Sequence, residues 1–193
     1  MKRSSKPATR KSRSKNVRRA QANNHLRSVI SAKQIQKRLH ELANQINRDY
    51  RGKTLHVVGV LENSFVFTAD LIRALKVPVY CYFVRADIRD TAQGGIATRE
   101  ISYTPRVEAA GKDILLVEGI LQSGMTMDHL YRYFLGQNPT SVRTVSLIEK
   151  TDERKVDVPT DYIGFRATEK FLVGYGLGYQ GRYKNLPYIA AVT

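Results

Sequence analysis

Residues 115–126 read LLVEGILQSGMT, and they hold the side chains best placed to do chemistry. An apolar run leads into Glu118, and beyond a short turn Ser123, Gly124 and Thr126 stand where a helix should begin. The unpaired N–H groups and positive dipole end of a helix start favour an anion such as phosphate. Gly124 lets the backbone approach closely, and the two hydroxyls add donors. The spaced Gly-Lys-Ser/Thr of a Walker A loop is missing. A Ser-capped helix behind a tight turn would use the same residues without any ligand, so both readings stay open. Other reactive types are bland. His25, His40, His56 and His129 lack metal-ligand spacing and point to surface or core. Cys81 lies in an apolar run and points to packing. The tyrosines of 175–188 are able to stack on bases, but packed strands use them more often.

The elements that would position this stretch alternate. From Ser31, a plausible N-cap, Ile35, Leu39, Leu42, Ala43 and Ile46 share one helical face, and Gly52 is a plausible stop. Strand 54–60 and helix 64–75 follow, then a β-rich run at 77–86 with Pro78 at its start, where a missing N–H is tolerated. A polar stretch extends to about 111. Strand 113–119 leads into helix 124–137, where Met127, Leu130, Tyr131 and Phe134 face inward, and strands are predicted at 142–150, 161–167, 171–178 and 188–192. Alternation with continuous apolar strands predicts an α/β protein with a mostly parallel sheet flanked by helices. Ligands of such sheets bind beyond the carboxyl ends of the strands, where 118–126 falls.

The chain has 193 residues, enough for one good core, and a net charge of +15. Residues 1–40 hold 13 Lys and Arg and no acid, leaving 19 basic against 17 acidic residues in the remainder. The basicity therefore belongs to a leader. Its Ser/Asn-rich composition offers little to bury and predicts a disordered arm over 1–30, with the folded domain at 31–193. Residues 1–24 would suit RNA or DNA through sequence-independent electrostatics; a solubilising tail or a misassigned start suits the same residues. An amphipathic presequence would need an apolar face that this leader lacks. The single cysteine fits a reducing, cytoplasmic compartment, and no run reaches membrane-span length.

Four blocks, IQKRLHELANQINRDYRGK, VVGVLENSFVFTADLIRAL, ILLVEGILQSGMTMDHL and KFLVGYGLGY, resemble those of the hypoxanthine-guanine phosphoribosyltransferases in order and spacing. The resemblance runs from about Ile35 to the C-terminus. It implies a type I phosphoribosyltransferase fold with a small C-terminal hood, and a purine nucleotide or phosphoribosyl pyrophosphate (PRPP) as ligand. It also implies magnesium assistance and a homodimer or tetramer. Carried over residue by residue, it makes Glu118 the surviving ribose acid and Ser123, Gly124, Met125 and Thr126 the 5′-phosphate cradle. Lys150 would read the purine oxygen, Phe171 would stack on the base, and Leu172 would add a backbone contact. Gly119 and Gln122 replace the family's second and third acids, and Gln122 cannot accept a proton as a carboxylate does. On the pyrophosphate side the family's Leu-Lys-Gly is Leu61-Glu62-Asn63. Gly178 stands for a metal-associated Asp, and Lys184 stands for an Arg. The lid has no clear counterpart in RADIRDTAQGG, and Ser102-Tyr103 would serve only by displacement. No protein ligand set for a resident metal is expected.

Because the losses gather on the pyrophosphate, metal and acid–base sides, the residues favour a purine-nucleotide or PRPP binder with turnover impaired or lost. An active salvage enzyme acting on hypoxanthine or guanine is the alternative. A nucleotide-responsive nucleic-acid-binding regulator is a further one, since the wider class includes such proteins.

Overall fold

The computed structural model describes residues 25–89, 98–104 and 107–193. Its strands are β1 Leu26–Ile30, β2 Leu55–Leu61, β3 Val79–Arg89, β4 Thr98–Thr104, β5 Asp113–Leu121, β6 Ser141–Glu149, β7 Tyr162–Arg166, β8 Leu172–Val173 and β9 Ile189–Val192. The helices are α1 Ala32–Asp49, α2 Phe65–Ala74 and α3 Met125–Leu135, with a 3-10 turn at Thr151–Glu153. The main sheet runs β4-β3-β2-β5-β6-β7, parallel throughout except for β4, which lies antiparallel on β3.

Helices cover both faces, as the continuous apolar strands require. Ile35, Leu39, Leu42, Ala43 and Ile46 of α1 and Phe67 and Leu71 of α2 pack on one face, against Leu55, Val57, Leu115 and Val117. Met127, Leu130 and Phe134 of α3 pack on the other, against Val58, Val60, Ile114 and Leu116. Tyr131, placed inward by periodicity, is only half-buried at the edge of that core. Ser31 caps α1 through a reciprocal box: its Oγ accepts from Gln34 N, and its own N–H donates to Gln34 Oε1. Arg38 then ties α1 to the far edge of the sheet, donating to the carbonyls of Ile163 and Gly164.

Several expectations are corrected. The folded body begins before Ser31, because Leu26–Ile30 pairs antiparallel with β9. The hood is therefore a three-stranded sheet, β1-β9-β8, drawn from both ends of the chain. The polar stretch before residue 111 contains β4, which places Ser102 opposite Arg85 and Tyr103 opposite Val84. The predicted strand 171–178 is a strand only at Leu172–Val173. Beyond it Gly174, Tyr175 and Gly176 adopt positive φ, and the segment turns back on itself through a Gly174–Leu177 bridge. Cys81 is exposed, so it does not pack as its apolar neighbours suggested. Residues 1–24, and the nucleic-acid expectation attached to them, lie outside the described residues, as does most of RADIRDTAQGG. Among the described residues no helix is long and apolar enough to cross a membrane.

Loss of the cap is the simplest test of how α1 is held. Ser31→Ala should destabilise the protein by about 1 kcal/mol in urea denaturation, whereas substituting the neighbouring exposed Lys33 should change it little.

Candidate active site

Parallel pairing of β2, β5 and β6 brings three strand ends together at one edge of the sheet. From β2 comes the loop Glu62–Ser64, from β5 the turn Gln122–Gly124, and from β6 Lys150. The Leu61–Glu62 peptide is cis. A cavity between the first two is lined by Asn63, Glu118, Gln122, Ser123, Gly124 and Thr126. A second cavity, lined by Lys170, Phe171, Leu172 and Gly178, shares Asn63, Ile120 and Gln122 with the first. The two cavities adjoin, with Gln122 on the wall of both, and together make up the two halves of a cleft.

The first half has the features of an anion site. Gly124 sits at φ 82°, in the left-handed region, and caps α3, whose first bonded-back amide is Asp128 N to Gly124 O at 2.8 Å. The amides before it have no intrahelical acceptor. One of them, Met125 N, makes a long contact of 3.4 Å to Ser123 Oγ. Met125 does not line the cavity, whereas Ser123, Gly124 and Thr126 do. Behind the turn, Ser123 O accepts from the amides of Lys155 and Val156, fixing its shape. Arg154 donates to the buried Glu149 at 2.7 Å, and its Nη1, buried without a partner, lies 3.2 Å from where a β-carbon on Gly124 would stand. Residue types alone gave no hint of Arg154, since its role rests on packing under the loop.

Glu118 is buried, and its Oε1 accepts from the N–H of Gly119 at 2.8 Å. Burial pushes the carboxyl from its ordinary 4.5 up to about 7, against the pull of the Gly119 and Ile120 amides. Close to neutrality it is thus both acid and carboxylate. Gly119 has no space for a side chain: an added β-carbon would lie 2.2 Å from the carbonyl oxygen of Asn63. The family's second acid therefore cannot be restored here without moving the β2 loop. Gln122 is exposed and under no such restriction.

On the other side Phe171 is 45% exposed and tilts against Tyr179 with centroids 5.5 Å apart, while the Lys170 ammonium lies over its ring, 5.6 Å from the centroid. Leu172 is buried in the hood sheet. Lys150, 1% exposed, lies behind this wall rather than in it. Its ammonium donates to the carbonyl of Lys170 at 3.0 Å and to the carboxylate of Glu153. An ammonium has three donors, so one remains. Glu153 was not foreseen as its partner. Asn63 lines both cavities, while Lys184, at the rim, donates to Glu62 at 2.7 Å.

A phosphoribosyl transferase domain model matches residues 28–180. The hypoxanthine-guanine phosphoribosyltransferase of Dictyostelium discoideum is 36% identical over 165 residues, covering 83% of this chain and 92% of that protein. The hypoxanthine phosphoribosyltransferase of Salmonella typhimurium is 37% identical over 170 residues, covering 86% and 94%. The crystal structure of a hypoxanthine-guanine phosphoribosyltransferase from Bacillus anthracis superposes with a TM-score of 0.80 at 36% identity, covering 89% of this chain and 100% of that one.

Two outcomes follow from the geometry. Gly119→Ala should cost about 1–3 kcal/mol in urea denaturation through overpacking against Asn63, while Gln122→Asp should stay within about 0.5 kcal/mol. Between pH 4.5 and about 7 the folded protein retains a proton on Glu118 that the unfolded chain has lost. Stability should therefore fall as pH rises through that window and level off above it. Glu118→Gln should remove the fall, coinciding with the wild type near pH 4 and exceeding it near pH 8 by up to about 3 kcal/mol.

Proposed function

The chain belongs to the hypoxanthine-guanine phosphoribosyltransferase family, and from that membership we propose that it moves a phosphoribosyl group from PRPP to hypoxanthine or guanine. The observation that carries the reading is the cleft made by the two adjoining cavities. It has a helix start suited to an anion at one end, a half-exposed aromatic ring at the other, and one buried carboxyl on its wall. A 5′-phosphate on the amides of Gly124–Thr126 would set the ribose over Glu118 and leave the anomeric carbon facing a purine on Phe171. A purine nitrogen then forms a bond to that carbon as its bond to the pyrophosphate oxygen breaks. Positioning and charge supply the acceleration, because positive charge develops on the ribose.

Ionised Glu118 would hold the ribose hydroxyls and offset that charge. Gln122, between the halves of the cleft, would orient the purine by hydrogen bonding, and the purine proton would leave to water. Lys150 has one ammonium N–H unspent behind Lys170–Phe171, and we assign it to the purine oxygen once the wall adjusts. The donor set fits a magnesium ion that arrives on the substrate. Among the described residues no three or more His, Cys, Asp or Glu side chains form a cage, and Mg2+ is commonly held by one or two carboxylates plus substrate phosphates. Ionised Glu118 would be the carboxylate nearest such an ion, which would supply charge to neutralise the pyrophosphate. Loss of turnover rests on the replaced acids alone, and the names of the relatives favour the active reading. The missing acids should appear as a slower chemical step.

Purified protein given PRPP, Mg2+ and hypoxanthine or guanine should release pyrophosphate and form IMP or GMP. The rate should rise with pH through about 7 as Glu118 ionises, and Glu118→Gln should lower kcat roughly 100-fold and flatten the profile. No IMP or GMP from the wild type at any pH between 6 and about 9 would sink the proposal.

A further inference from the structure

Three residues that depart from the family pattern, Glu62, Gly178 and Lys184, meet at one point on the rim of the cleft. Glu62 Oε2 accepts from Lys184 Nζ at 2.7 Å, and Glu62 Oε1 lies 3.8 Å from Arg85 Nη1. The Lys184 stem reaches Glu62 by crossing over Gly178. A β-carbon on Gly178 would lie 2.8 Å from Lys184 Cε and 3.0 Å from its Cγ. Any side chain at 178 would thus press on the path of the lysine. The glycine, the lysine and the carboxylate are one arrangement, made by residues more than a hundred positions apart.

Its place matters. Gly178 lines the base-side half of the cleft, and Asn63, next to Glu62, lines both halves. The ion pair therefore bridges the loop after β2 to the turn segment after β8, beside two residues, Asn63 and Gly178, that line the cleft. Lys184 holds Glu62 below the usual carboxylate range, so the pair is charged at neutral pH. Exposed pairs of this kind are weak and screened. A ligand carrying several negative charges would outcompete a single carboxylate for the same cations, whereas a ligand with one phosphate, held at α3, would leave the pair untouched.

We propose that Glu62 is a specificity-determining residue that holds Lys184, and with it Arg85, until a pyrophosphate group displaces it. The family's pattern binds the polyanion with a lysine in this loop; here a carboxylate must first let go. The consequence is discrimination: PRPP and pyrophosphate bind against a competing internal anion, while purine nucleoside monophosphates do not. This deepens the transferase reading and rests on it for the identity of the polyanion.

The test is calorimetric titration of wild type, Glu62→Gln, Lys184→Gln and the double variant with inorganic pyrophosphate, PRPP and GMP. Glu62→Gln should tighten pyrophosphate and PRPP roughly five-fold, the scale of one exposed charge pair, with GMP affinity unchanged. Lys184→Gln should weaken pyrophosphate, and in its background Glu62→Gln should give a much smaller gain, which a purely structural contact would not produce. Equal or weaker pyrophosphate and PRPP binding by Glu62→Gln overturns the proposal, as does an equal gain for GMP. Tighter pyrophosphate binding with no IMP or GMP formed by any variant would uphold the role of Glu62 and sink the transferase reading. Turnover with an unchanged KM for PRPP in Glu62→Gln would do the reverse.

Discussion

A β-carbon placed on Gly119 would lie 2.2 Å from the carbonyl oxygen of Asn63, and one placed on Gly176 would lie 3.1 Å from the same atom. The end of β5, the loop after β2 and the turn after β8 therefore close on one backbone oxygen. Each is brought there by pairing elsewhere: β5 by its parallel ladder with β2, and the turn by the pairing of β8 with β9. Because Asn63 also lines both halves of the cleft, this contact sets how far apart those halves stand. Small residues at 119 and 176 are the condition for that spacing, since interiors are packed too tightly to absorb an extra methylene without movement.

The same approach governs the chemistry of Glu118. With Gly119 pressed against Asn63, the carboxyl is buried, and its Oε1 accepts from the amide of its own neighbour, Gly119. The Gly119 and Ile120 amides only partly offset the loss of solvent, so the proton affinity rises. A second acid at 119 would have changed that balance by placing another negative charge nearby. In this chain Glu118 is followed by glycine, and burial raises its carboxyl to about 7. Its electrostatic contribution consequently varies with pH where a more hydrated carboxylate's would be constant.

Much of this was legible in the sequence where the determining forces are local. The apolar stripe of α1, the Ser31 cap and the buried strands 55–61, 113–121 and 141–149 follow from periodicity and capping, and the structure has them within a few residues. The elements missed depend on distant partners. Strand β1 is a short polar-flanked run whose only reason to extend is β9, more than 150 residues away. Strand β4 pairs back on β3 from a stretch rich in turn formers. The segment 171–178 has strand-like composition, yet its backbone is bent at positive φ by Gly174, Tyr175 and Gly176. In the site, the residue types marked the turn before α3 and Glu118, which line one cavity. They did not reveal that Lys150 would be engaged by Glu153 and Lys170, or that Arg154 would lie under the cradle.

Taken singly, each departure from the family pattern looks like decay, because each removes a charge or reverses one. Their geometry argues otherwise for part of the set. Gly178 leaves the space that the Lys184 stem occupies, Lys184 then reaches Glu62, and Glu62 is a carboxylate where an ammonium would have repelled that lysine. Independent loss has no reason to leave three complementary residues in contact across a binding cleft. Gly119 belongs to a different class, since backbone crowding alone forbids a larger residue at its present separation from Asn63. Gln122 belongs to neither: it is exposed, unconstrained by packing, and positioned between the two cavities. The substitution most free to revert without structural cost is therefore the one that stands where the two cavities adjoin.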